Sequence, residues 1–181
     1  AINHSTGSDL QDPPGPVHLN VPFDLPLFPK NVETIENPQF SLKYSRKIEK
    51  YTAEIPILTQ ASQPLIVAGL MEENCHQKDI IRFAEKIQAP ILADPLSQIR
   101  YGYQHELIIA HYDYFLKLVD INPDLVIRFG RKPTSNVLCH LLDKWREKTF
   151  LVDKWKRFND NCPNFIQAPI DAFCQNQISE I

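Results

Sequence analysis

Short apolar runs that alternate with stretches of helical periodicity constrain this chain more than any other feature. The runs are QPLIVAG (63–69), APILAD (89–94), DLVIRFG (124–130), KTFLVD (148–153) and NFIQAP (164–169). Each is too short for a typical helix and shows little apolar–polar alternation, which marks strands covered on both faces. Residues 72–88 place Ile80, Ile81, Phe83, Ala84 and Ile87 at helical spacing, and residues 105–120 form a second apolar helical stretch. Residues 134–147 set Val137, Leu138, Leu141, Leu142 and Trp145 on one helical face, and a last helix begins at Ile170. Strands alternating with helices predict an α/β fold, a three-layer Rossmann-like parallel sheet with helices on both faces.

The first forty residues break this rhythm. The segment DPPGPVHLNVPFDLPLFP (12–29) carries a large share of the chain's 15 prolines. Proline fixes its own φ and pushes its predecessor toward extended backbone, so the segment builds little core of its own. PVHLNV (16–21) sets Val17, Leu19 and Val21 on one face and could form a single strand, which would have to pair outside the segment. Residues 41–61 read as partly helical, with Pro56 interrupting or starting a helix. The expected organisation is a Pro-rich segment over 1–40 and a Rossmann-like domain over 41–181.

Charge and composition narrow the chemistry. A net charge of −3 argues against a nucleic-acid face, which needs a basic surface. No apolar run reaches the roughly 20 residues of a membrane span, and no secretory signal is visible, so a cytoplasmic location is expected. The cysteines are Cys75, Cys139, Cys162 and Cys174, with no C-x-x-C pair. Zinc at Cys75-His76 and Cys139-His140 is disfavoured because adjacent helical residues point to different faces, so free thiols are expected. Only five glycines are present, and neither G-x-x-x-x-G-K-[ST] nor G-x-G-x-x-G occurs. No G-x-S-x-G, H-E-x-x-H or catalytic cysteine signature occurs either.

In open parallel sheets ligands sit at the carboxyl ends of the strands. Those ends carry Glu72 after the first run, Asp94, Ser97 and Arg100 after the second, and Asp153 and Lys154 after the fourth. The third is the richest, with Gly130, Arg131, Lys132, Thr134, Ser135 and Asn136 where a helix begins. Two readings stand side by side there. Arg131 and Lys132 beside a helix N-terminus can hold an anion. Alternatively, Thr134 or Ser135 caps the helix, Pro133 sits in its first turn and the cations are solvated. Asp94 could take a ribose hydroxyl or a metal, or cap a turn. YDYF (112–115) could stack a flat ligand or serve as core.

Several stretches together resemble one family. GPVHLNVPFDLPLFP (15–29), PLIVAGLM (64–71), PILADPLSQIR (90–100), PDLVIRFGRKPTSNVL (123–138) and FLVD (150–153) follow the order and spacing of the menaquinone-pathway 2-succinyl-5-enolpyruvyl-6-hydroxy-3-cyclohexene-1-carboxylate synthases. The resemblance implies a three-domain enzyme that uses thiamine diphosphate with Mg2+ or Mn2+. Such enzymes decarboxylate 2-oxoglutarate and add the carbanion to isochorismate. It implies that this chain is the central domain, preceded by the end of a pyrimidine-binding domain, and that its partners are the missing N- and C-terminal domains, with a homo-oligomer for the whole enzyme. It also implies no cofactor and no catalytic residue here, since the thiamine-activating Glu and the Gly-Asp-Gly metal motif belong to the other domains. The turn GRKPTSNVL then faces substrate carboxylates, although many members carry Lys where this chain has Asn136, and some carry Arg at Val137. Candidate substrate-rim or regulatory anion-binding residues are Arg131, Lys132, Ser135, Asn136, Arg100 and Ser97, the regulatory ligand being a downstream naphthoate. The alternative is an independent Rossmann-like nucleotide- or anion-binding module.

Overall fold

The computed structural model describes residues 15–22, 55, 58–71, 77–155 and 160–180. Backbone contacts divide the chain into two units, 1–49 and 50–181. In the first unit, residues 15–22 carry no helix or strand, and Val17, Leu19 and Val21 are exposed. The strand expected at 16–21 is therefore not formed, and the rest of the Pro-rich segment lies outside the described residues. The helix expected over 41–61 also lies largely outside them, apart from a 3-10 turn at Leu58–Gln60.

The second unit holds a six-stranded parallel sheet. Its strands are β1 (Pro64–Ala68), β2 (Ile91–Ala93), β3 (Ile108–Ile109), β4 (Leu125–Phe129), β5 (Thr149–Asp153) and β6 (Asn164–Gln167). The order is β3-β2-β1-β4-β5-β6, so the chain starts in the middle, builds outward one way and then returns to build the other. Among the described residues four α-helices complete it: α1 (Gln77–Ile87), α2 (Tyr112–Phe115), α3 (Asn136–Lys144) and α4 (Ile170–Glu180).

Strand alternation sorts the core into two layers. Ile66, Ala68, Ile91, Leu125, Ile127 and Phe129 pack under α1 and α4. Leu65, Val67, Leu92 and Val126 face α2 and α3, meeting Tyr112, Leu138, Leu142 and Trp145. Phe83 of α1, Phe129 of β4 and Phe173 of α4 form a triangle of edge-to-face rings with centroids 5.8–6.2 Å apart. This packing anchors the first layer and confirms the three-layer α/β expectation.

One expected element is corrected. Residues 105–120 do not form one helix: they give β3, a turn and the four-residue α2. Leu107-Ile108-Ile109-Ala110 is a contiguous apolar run, and Ile108 and Ile109 pair in register with Ile91 and Leu92. Covering the free edge of β2 outweighs the helical spacing of this stretch. Glu72, Cys75 and His76 lie outside the described residues, so the expected helix over 72–88 is seen only as α1.

Candidate functional site

The reversal of strand order falls between β1 and β4, where a doubly wound sheet usually opens a ligand crevice. Here the two strand exits bridge each other instead. Gly69 N donates to Phe129 O at 2.9 Å, and Arg131 N donates to Leu70 O at 2.9 Å. A Cβ on Gly69 would sit 1.9 Å from Arg131 O, so only glycine permits this approach. Gly130, at φ +74°, makes the matching turn beneath the Met71 side chain. Among the described residues, backbone thus bridges the two strand exits at the switch point.

The organised chemistry lies one strand to the side, around Asp94. This carboxylate is fully buried at the exit of β2. Its Oδ1 accepts Leu96 N at 3.0 Å, closing the turn that Asp residues favour after strands. Its Oδ2 accepts Thr134 N at 2.6 Å, Thr134 Oγ1 at 2.9 Å and Tyr112 Oη at 3.3 Å. One carboxylate therefore ties β2, α2 and the turn leading into α3. Burial, followed by the nearby Asp94 charge, pushes the Tyr112 phenol up from 10.0 to about 12, while Arg100 works against the shift. The Arg100 guanidinium lies 5.7 Å from the Tyr112 ring centre, and its Nε donates to Ala93 O at 2.6 Å. A cation over a ring face is held partly by the ring quadrupole.

Ser135 is the N-cap of α3, with φ −72° and ψ 117° and its Oγ accepting Leu138 N at 3.1 Å. It also bonds the Asp113 carboxylate of α2. Pro133 sits two residues before this cap and not in the first helical turn. A cleft of about 910 Å³ opens over the junction, walled by Arg100, His111, Asp113, Lys117, Ser135 and Asn136 among others.

Three of the six residues read from sequence, Arg100, Ser135 and Asn136, line this cleft. Ser97 does not line it: its side chain is buried, and its Oγ accepts Ile99 N at 3.3 Å. Arg131 is exposed on the bridge to Leu70. Lys132 turns to a separate small cavity on the β5 side. Sequence reading missed His111, Asp113 and Lys117, because the assumed helix over 105–120 hid α2's position at the cleft. The two tyrosines of YDYF separate: Tyr112 is 1% exposed and is core, whereas Tyr114 is 82% exposed on the cleft wall.

Among the described residues no group of three His, Cys, Asp or Glu could hold a metal ion, and no helix is long and apolar enough to cross a membrane. Fold and cleft together define a doubly wound parallel α/β domain whose two central strand exits are bridged by backbone. No protein-family profile matches the chain. It is similar to several proteins named 2-succinyl-5-enolpyruvyl-6-hydroxy-3-cyclohexene-1-carboxylate synthase. That of Bacillus pumilus is 32% identical over 94% of this chain and 32% of the relative. Those of Staphylococcus haemolyticus and Bacillus velezensis are 34% and 37% identical over 86% and 78% of this chain, and 27% of each relative. The chain is related to these synthases and spans about a third of the length of those it matches.

Proposed function

We propose that this chain is the middle domain of a thiamine-dependent synthase of menaquinone biosynthesis. The whole enzyme would decarboxylate 2-oxoglutarate and add the carbanion to isochorismate. Residues 1–40 would close the preceding pyrimidine-binding domain and lead into the middle domain at 41–181. Thiamine diphosphate and Mg2+ or Mn2+ would be held by the outer domains, and the chain alone would be inactive.

The observation that carries the reading is the Asp94 junction, which fixes the N-terminus of α3 beside Arg100. Free helix N–H groups and a guanidinium on one cleft suit a carboxylate. Arg100, Ser135 and Asn136 would form this rim, without Ser97, which does not line the cleft. Arg131 would add charge from the turn, whereas Lys132 faces the other cavity and stands apart from this rim. Kinetics of the full-length synthase test the assignment. Arg100→Ala should raise KM for one carboxylate substrate by about tenfold or more, with kcat less affected. Unchanged Michaelis constants in Arg100→Ala and Arg131→Ala would falsify the rim. Activity of this chain without the other domains would overturn its place as a non-catalytic domain.

A further inference from the structure

Strand alternation places Arg128 on the same face of β4 as Val126, among the residues packed under α3. It is 3% exposed. A guanidinium there is costly unless every donor is used. Its Nη2 pairs with Asp160, which is also buried. Its Nε has no hydrogen-bond partner. Arg128 forms part of the wall of a cavity of about 100 Å³ between α3 and the β5–β6 edge.

Lys132 and Arg146 also reach this cavity, so three cations meet two carboxylates, Asp143 and Asp160. Asp160 is already committed to Arg128 and to Cys162 N at 3.3 Å. The surplus is positive. Two thiols on the wall sense it. Burial pushes both upward, while Lys132 at Cys139 and Arg128 at Cys162 act in the opposite direction. The volume is well below the roughly 300–1,000 Å³ of clefts that enclose drug-sized ligands. It suits one small group.

We propose that this cavity binds a compact oxyanion, a phosphate or a carboxylate group, held by Arg128, Lys132 and Arg146. Charge-assisted bonds to planar guanidinium and ammonium donors are the strongest such groups make. The site is separate from the Asp94 cleft and does not depend on the function proposed for it.

Cys139 and Cys162 give a direct readout. The 181-residue chain is alkylated with iodoacetamide at fixed pH and ionic strength, with inorganic phosphate or succinate titrated against sodium chloride. Modification at each cysteine is followed by peptide mass spectrometry. At least one of the two anions should slow Cys139 and Cys162 saturably, by about fivefold or more, without changing fully buried Cys174. The anion that saturates names the source. A Lys132→Ala/Arg146→Ala variant, altered only at exposed positions, should need roughly tenfold more anion. The proposal is overturned if neither anion acts beyond chloride, if the variant is protected equally, or if Cys174 slows in parallel.

Discussion

Two buried charges sit on either side of the α3 N-terminus, and they are treated differently. Asp94 accepts four hydrogen bonds, two of them from main-chain N–H groups. Arg128 pairs with one side chain and leaves Nε without a partner. A carboxylate that gathers donors from three segments, two of them through the backbone, acts as a fixed joint. A guanidinium held by one partner, beside a cavity, retains capacity for something else. The contrast separates a group that shapes a site from one that waits for a ligand.

Breaking the less satisfied pair should have the largest effect. Asp160→Ala leaves Arg128 buried without its carboxylate and should cost about 3–5 kcal/mol in chemical denaturation. Replacing both partners by apolar residues of similar volume, Arg128→Met with Asp160→Leu, should recover most of that loss. Cys162 N, which also bonds Asp160, would be the main group left over. Failure of the double variant to recover would mean that the ion pair has no apolar substitute here.

Asp94 offers no such rescue, because its partners include the backbone. Asp94→Asn keeps the shape but turns an amide donor toward either the Thr134 or the Leu96 N–H. It should cost about 1–3 kcal/mol. Crosspeaks of the 131–137 turn should move in amide NMR spectra, since this turn loses its tether. A shift confined to residues 93–97 would show that the joint does not reach α3. Ser135→Ala, which removes the cap together with the bond to Asp113, should cost about 1 kcal/mol, and Ser135→Gly somewhat less.

The same contrast explains what sequence could reveal. The strands at 63–69, 124–130 and 148–153 were legible because apolar runs buried on both faces leave little choice of structure. β3 was not, because two isoleucines gain strand character only from the register of β2 beside them. Asp94 was legible as a turn cap, since that bond is local. Its bonds to Thr134, forty residues on, depend on how the strands order, and no local pattern encodes them. Arg128 lay inside an apolar run whose periodicity hid a charge, and its partner follows it by thirty-two residues. Arg100, Ser135 and Asn136 fall on one cleft because strand exits are predictable places. Lys132 was grouped with them by sequence proximity, but the turn sends it to the other cavity.

The last effect shows only at high pH, and its sign follows from burial and the Asp94 joint. Tyr112 is 1% exposed and its phenol is pushed up from 10.0 to about 12, first by burial and then by the Asp94 carboxylate. Between those values the folded chain keeps a proton that the unfolded chain has lost. Stability from this group is therefore complete below about pH 10 and is lost as pH rises toward 12. Ultraviolet titration near 295 nm should show one tyrosine ionising last, and Tyr112→Phe should remove that step. The same variant should flatten the fall in stability across pH 10 to 12, while losing only about 1 kcal/mol near neutrality for the missing hydrogen bond. If Asp94→Asn leaves the late titration step unmoved, burial alone sets the phenol, and the Asp94 joint is held by Thr134 and the β2 turn without help from α2.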